Sequence, residues 1–366
     1  MNILFRVDAG GATGLGHFYR SLNLAGILLS RGHRLWFCHL DSEFWKKEAE
    51  ALFARYCSGF ALSETRDAPV RDFSVQESRL PGSLRHFVLK PERANEETLA
   101  LIERWPVDLL YVDGNQEFSP ELALRIKQQA RLVFYQNLSA SRKLADLYIL
   151  PSIHQGIEFF SDFSLQTRVA RGLDYTMFHP ELAQVRPKSR QRIKWQSLAL
   201  SAGGSDPANT LLRLYGMLKT LDALPARLLF FYGRDYMHHK EIPADLPAGW
   251  EFRPFSHQEI LRQDALLTAF GVSTYEFLYL GMPLLAYGHQ ESTAHASGFL
   301  AGQSQAFVNL GNIEELEPAR LQEAIDRLGQ YAFRRELSQK ARALMDLRGP
   351  ERVAGLLEET YNSRVL

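Results

Sequence analysis

Residues 3–33, "ILFRVDAGGATGLGHFYRSLNLAGILLSRGH", run from a short β-forming segment through a glycine-rich turn into a segment of helical period. Phe18, Leu22, Ala25 and Leu29 recur at the spacing of one helix face, which predicts a helix over 17–31. A strand, a tight turn and a helix in this order form the first unit of a parallel α/β sheet. The turn is the place where backbone N–H groups and the helix dipole meet an anion. A dinucleotide fingerprint would read G-x-G-x-x-G, its last glycine permitting close packing of helix on strand. Here Gly11, Gly14 and Gly16 read G-x-x-G-x-G, and His17 follows at once. An imidazole at that place suits tight packing poorly and suits projection toward a ligand well. Asp41, after the second strand segment, stands where an acidic ribose ligand would. A dehydrogenase therefore stays open at this point, as does a plain turn with a surface histidine.

Outward from this stretch the same alternation continues. "RLWFCHL", "RHFVL", "DLLYVD" and "RLVFYQ" follow as strand segments, separated by helical ones. Near-continuous apolar strands between helices predict parallel sheets covered on both faces. Residues 181–197, "ELAQVRPKSRQRIKWQS", break the pattern and read as a solvated linker, with contact to an anionic membrane as the alternative. After them "SLALSAG", "RLLFFYG", "WEFRPF", "ALLTAF", "PLLAYG" and "AFVNL" restart the alternation, and from about residue 313 the pattern is helical. The chain thus divides into two domains, residues 1–185 and 195–350. Residues 351–366 form a C-terminal helix expected to pack back on the first domain. A cleft between two such domains is the expected ligand site.

Composition narrows the function. Of 366 residues, 46% are hydrophobic and 23% charged, and 42 basic side chains balance 42 acidic ones. A neutral chain lacks the basic excess of a nucleic-acid binder. Cys38 and Cys57 are too few for a disulfide framework and too far apart for a metal knuckle, which predicts inert thiols in a reducing compartment. No apolar run reaches the roughly 18 residues of a membrane span. "MNILFRVD" has no leader-like pattern, so a soluble, cytoplasmic protein without stable membrane insertion is expected.

The second half carries two further loops. In "LALSAGGSDPANT" the turn is Gly203, Gly204 and Ser205, with Asp206 as the expected helix cap and Pro207 in the first turn. In "ALLTAFGVSTYEFLYLGMPLLAYG", Gly271, Ser273 and Thr274 form a small-residue turn suited to a diphosphate. Glu276, shortly inside the next helix, is expected to accept the two hydroxyls of a ribose; a solvated or capping carboxylate is the alternative. In "EFRPFSHQEI", Phe255 and the backbone near Ser256 suit a flat base, unless Phe255 is a core residue.

Together these residues resemble a known family. "RVDAGGATGLGHFYRSLNLAGIL" is similar to the signature of the UDP-sugar hydrolases of the pseudaminic-acid pathway and the related spore-coat polysaccharide proteins. Arg6, Asp8, Ala9, Gly14, Gly16, His17, Arg20, Leu24 and Ala25 match it. "SAGGSDPANT", "RGLDYTMFHPEL" and "GVSTYEFLYLGMP" with Gln290 resemble further family segments across both domains. The resemblance implies an α/β protein of GT-B fold, with two Rossmann-like, doubly wound parallel-sheet domains facing a central cleft. It implies UDP held mainly by the C-terminal domain and metal-independent cleavage of the sugar–phosphate C–O bond by water. His17 would be the base or water-positioning group. Two segments depart from the hydrolases: "VDGNQEF" replaces their Asp-x-Tyr, and "FYQNLSA" replaces an Asp-Asp pair.

The substrate so implied is a UDP-linked diacetamido-trideoxy sugar, with UDP as part of substrate and product and no separate cofactor or metal. Asp8 either orients the sugar or His17, or caps the turn; Arg20 either binds an anion or forms an ion pair. Besides hydrolysis, transfer of the sugar to a hydroxyl acceptor and non-catalytic sugar-nucleotide binding remain open readings.

Overall fold

The computed structural model describes residues 1–9, 15–57, 76–79, 85–188 and 191–363. Gly11 and Gly14 lie outside the described residues. The chain forms two compact units, one of residues 1–180 with 347–366 and one of residues 181–346.

Unit 1 is built on β1 (Asn2–Val7), β2 (Arg34–Leu40), β3 (Gln76–Arg79), β4 (Arg85–Leu89), β5 (Leu109–Asp113), β6 (Arg131–Tyr135), β7 (Leu147–Leu150) and β8 (Arg168–Arg171). They form one sheet in the order β3-β4-β2-β1-β5-β6-β7-β8, parallel throughout except for β3 against β4. The sequence pattern predicted five of these strands. It passed over β7 and β8, four residues each, and over β3. Helix α1 (Gly16–Ser30) starts one residue before its predicted first position and buries the expected face of Phe18, Leu22, Ala25 and Leu29. It shares a core with Phe5 and Val7 of β1, with Phe53 of α2 (Glu50–Cys57), and with Val353 and Leu357 of the chain's last helix. The other face of the sheet is covered by α3 (Ala94–Arg104) and α4 (Pro120–Gln129), which pack on Leu4, Leu110 and Val112.

Strand β1 lies between β2 and β5, pairing in register with both. The chain leaves β1 toward one edge of the sheet and β5 toward the other. Such a switch point opens a crevice at the carboxyl ends of the two strands, where ligands of open α/β sheets bind. The sequence places Asp8 just after β1 and Asp113 at the end of β5.

Unit 2 contains β9 (Ser197–Ser201), β10 (Arg227–Tyr232), β11 (Trp250–Pro254), β12 (Ala265–Ala269), β13 (Leu284–Gly288) and β14 (Val308–Asn312). All six strand segments predicted for this half are present, in one parallel sheet of order β11-β10-β9-β12-β13-β14. Its switch point lies between β9 and β12. The helices are α5 (Thr210–Leu218), α6 (His257–Leu261), α7 (Val272–Tyr279), α8 (Glu291–Ser304), α9 (Pro318–Gly329) and α10 (Tyr331–Leu344). Leucines of α5, α9 and α10 cover one face of the sheet. Helix α11 (Gly349–Asn362) is the last helix already placed in unit 1. Among the described residues no helix is long and apolar enough to cross a membrane.

The basic segment 181–197 is mostly exposed among its described residues, as a solvated linker would be, but it is anchored to unit 2 at two places. The Lys188 ammonium donates to the carbonyls of Leu261 (2.9 Å) and Gln263, and burial pushes its pKa down to about 8. Arg334, fully buried, donates to the carbonyls of Arg192 (2.7 Å), Ile193 (3.1 Å) and Gly329 (2.9 Å). Lys188 of the segment and Arg334 of α10 are spent on carbonyls, a use that a charge count does not reveal.

Both cysteines have thiols raised to about 12 by burial, and Cys38 is wholly enclosed. A second enclosed group, His39 at the end of β2, stacks on Trp45 at 3.5 Å between ring centres. One of its nitrogens faces the Leu40 carbonyl at 2.9 Å and the other faces His86 at 2.9 Å. Burial pushes this imidazole down to about 3, against the Leu40 carbonyl, which favours the charged form. The ordinary value in an unfolded chain is about 6.5. Between these values the unfolded chain binds a proton that unit 1 does not. Stability present above about pH 6.5 is therefore lost as pH falls toward 3, by at most about 1.4 kcal/mol per pH unit. Denaturant unfolding measured between pH 7 and 4 should show this acid limb, and His39→Leu should flatten it.

Candidate active site

The switch point of unit 1 is organised around Asp113, which is wholly buried. Its carboxylate accepts from Arg20 Nε (2.7 Å), from Arg20 Nη2 and from the Ser21 hydroxyl (3.0 Å), all on the first turns of α1. Burial alone would raise the Asp113 carboxyl. The Arg20 guanidinium, by charge and hydrogen bonds, and His17 hold it below the usual carboxylate range. Arg20 also donates to Gln136 Oε1 (2.6 Å) and lies over the Tyr135 ring at 4.9 Å. Gln136, just after β6, takes a left-handed backbone conformation at φ 52°.

His17 Nδ1 lies 2.8 Å from Asp113 Oδ1 and 2.8 Å from Arg20 Nη2. One nitrogen cannot donate to the carboxylate and accept from the guanidinium at once. We assign the proton to Nδ1, donated to Asp113, because a bare Nδ1 would set its lone pair against the nearest negative charge. Arg20 meanwhile keeps Asp113 and Gln136 as acceptors. Nε2 then carries the free lone pair on an imidazole about a quarter exposed, which is the arrangement of a general base oriented by a carboxylate. In ¹⁵N NMR, native His17 should be protonated at Nδ1. Asp113→Asn, whose amide can donate to Nδ1, should move the proton to Nε2.

Two sequence expectations need correction here. Arg20 is no open anion ligand: it is buried in its ion pair with Asp113. Asp8 does not orient His17. Its carboxylate pairs with Arg6, accepts from the Leu40 N–H (2.8 Å) and from Gln116 Nε2 (3.0 Å), and so ties the ends of β1 and β2 to the loop after β5. Burial opposes ionisation of Asp8, and Arg6, with the Leu40 and Gln116 hydrogen bonds, holds its carboxyl low. Gly16 is the first residue of α1. Asp41 is exposed and paired with Lys46 at 2.7 Å.

Unit 2 contains a cavity of about 520 Å³ at the carboxyl ends of β9, β10, β11 and β12. Gly203, Gly204, Phe255 and Ser273 line it as the sequence predicted, joined by Tyr232, Gly233, Arg234 and Pro254, which the motifs missed. Among the described residues of this lining, Arg234 is the charged one. Helix α5 starts at Thr210 with Asn209 as its N-cap residue, so Pro207 lies before the helix rather than in its first turn. The Asp206 carboxylate, three residues before Asn209, still accepts from the Thr210 and Leu211 N–H groups at 2.8 and 2.9 Å. Gly233 packs so closely on the carbonyls of Gly203 and Gly204 that any Cβ there would collide with them. Gly203, at φ +88°, uses the left-handed region open to glycine.

The remaining expectations divide. Thr274 is a cap, not a phosphate ligand: its buried hydroxyl accepts from the Gly271 N–H and donates to the Ala269 carbonyl, both at 3.1 Å. Gly271 is the residue before α7, and the Ser256 hydroxyl caps α6 by accepting from the Glu259 N–H at 3.3 Å. Ser205 and Gln290 are exposed and do not line the cavity. Glu276 is largely buried, and its Oε2 lies 3.1 Å from His257 Nε2. Among the described residues no group of three or more His, Cys, Asp or Glu is placed to hold a metal ion.

Two parallel-sheet units of this kind define the GT-B fold of glycosyltransferases. The chain superimposes on MurG from Acinetobacter baumannii with a TM-score of 0.62 at 16% identity, over 98% of this chain and 99% of that one. The kitacinnamycin glycotransferase matches with a TM-score of 0.63 at 16% identity, over 98% of both chains. At that identity the likeness concerns the fold. In sequence the chain is similar to the spore coat polysaccharide biosynthesis protein SpsG of Bacillus subtilis (strain 168). The two are 23% identical over 291 residues, 76% of this chain and 84% of that protein. No protein-family model matches the chain. Sequence and fold together support the family resemblance drawn from the motifs.

Proposed function

We propose that the chain is a sugar-nucleotide enzyme, a hydrolase that cleaves a UDP-linked deoxy-acetamido sugar at its anomeric C–O bond in surface-polysaccharide synthesis. The cavity of unit 2 carries the reading. It joins two aromatic rings, Tyr232 and Phe255, a glycine loop that bares its backbone, and Arg234, with no carboxylate among the described lining residues. Rings suit a base, and backbone N–H groups with a guanidinium suit a diphosphate.

In this reading His17 Nε2 takes a proton from water as the water oxygen bonds to the anomeric carbon. The bond from that carbon to the phosphate oxygen breaks, and UDP leaves with the electron pair. Glycine-loop N–H groups and Arg234 stabilise the departing charge, so the reading assigns no metal and no separate cofactor. Asp113 keeps Nε2 unprotonated and stabilises the imidazolium that forms.

Transfer of the sugar to a hydroxyl acceptor is the second reading. The fold is shared with glycosyltransferases, and a base at His17 would serve a hydroxyl as well as water. Incubation with a panel of UDP-sugars, following UDP release, separates the two. Release of free sugar with no acceptor present supports hydrolysis, whereas turnover that appears only on adding a hydroxyl acceptor replaces it with transfer. Binding of UDP with no turnover under either condition leaves a binding protein.

His17→Ala should lower turnover by about 10²–10⁴-fold, while UDP affinity measured by calorimetry changes by no more than a few-fold. Activity retained within a few-fold would remove His17 from the chemistry.

A further inference from the structure

The pair formed by His257 and Glu276 has a geometry that the nucleotide cavity alone does not explain. Glu276 sits one turn beyond Ser273 on α7, and His257 two residues beyond Phe255, so each partner is the near neighbour of a cavity-lining residue. The imidazole is held between two rings, Phe255 at 4.9 Å and Phe277 at 5.4 Å between centres. Its Nε2 faces Glu276 Oε2 at 3.1 Å. The side chains are 27% and 8% exposed. Glu276 Oε1 takes no hydrogen bond among the described residues, yet it is not sealed from solvent.

One carboxylate oxygen is therefore fixed by the protein and the other left open, one helix turn from the cavity-lining Ser273. A largely buried carboxylate is costly to orient by solvent alone, and a single hydrogen-bond partner clamped by two rings fixes its rotamer. An ionised carboxylate only accepts, so the ligand group that meets Oε1 must donate. On a nucleoside diphosphate lying with its base against Phe255, the donors one group away from the base are the ribose hydroxyls.

Resting on the nucleotide reading above, we propose that His257 is a positioning residue. It holds Glu276 so that Oε1 accepts from the ribose 2′-hydroxyl, and the site thereby selects ribonucleotides over 2′-deoxyribonucleotides. A site built to bond a hydroxyl rejects the analogue that lacks it, because its own acceptor is left unpaired.

The test is calorimetric titration of the full chain with UDP and 2′-deoxy-UDP. The native protein should prefer UDP by about ten- to a hundredfold, the worth of one hydrogen bond to a charged group. In His257→Ala this ratio should fall toward one through weaker UDP binding, with 2′-deoxy-UDP affinity unchanged, which also reports that the cavity is folded. His257→Gln, whose amide N–H reaches the same oxygen, should restore the ratio. Equal weakening of both nucleotides in His257→Ala, or a preserved ratio, overturns the positioning role while the nucleotide reading stands. If native protein binds neither nucleotide, the nucleotide reading falls and takes this inference with it.

Discussion

Everything at the switch point of unit 1 depends on one buried charge. Asp113 has no solvent, so its ionised form rests on Arg20 against it, with His17 and Ser21 in support. Removing one member of such a pair leaves an uncompensated buried charge, at a cost of about 3–5 kcal/mol. The arginine and the histidine lie one turn apart on α1, so a single helix brings both the counter-ion and the imidazole to the end of β5. The same contact thus fixes how α1 docks and which His17 nitrogen is free.

The two units use the carboxyl ends of their strands differently. In unit 1 the crevice is filled by charged side chains that bond one another. In unit 2 it is emptied: glycines at 203, 204 and 233 remove side chains, and the loops close against one another through backbone at these glycines, with the Tyr236 hydroxyl donating to Asn209 Oδ1 (2.9 Å) further out. The Asp235 N–H donates to the Gly204 carbonyl at 3.1 Å, which fixes the loop without intruding on the cavity. A polar, crowded site suits proton handling, and a bare-backbone site suits an anion.

Much of this was legible in the sequence because it is local. The parallel architecture follows from apolar runs between helical segments, and the glycine loops follow strands as phosphate-type turns do. His17 stood out because its side chain contradicts a dinucleotide turn. The partner of His17 was not legible: Asp113 is 96 positions away, in the "VDGNQEF" that reads only as a departure from the family pattern. Thr274 misled for a different reason. A hydroxyl in the first turn of a helix is the same residue type whether it binds phosphate or caps the turn, and only the Gly271 and Ala269 contacts decide. Tyr232 and Arg234 could have been found by extending the strand-end rule to β10. The linker reading holds for the exposed Arg186, Arg192 and Lys194 and misses Lys188, whose ammonium is spent on carbonyls.

The return of the last helix to unit 1 has a consequence for how the chain is made. Unit 2 is one continuous segment set inside the sequence of unit 1. Val353, Ala354 and Leu357 belong to the core formed by β1 and α1, and Gly349 lies so close to the Thr176 carbonyl that a side chain would not fit. During synthesis, unit 2 has all its residues while unit 1 still lacks part of its core. Until α11 is synthesised, the α1 face that it covers has no partner from this part of the chain.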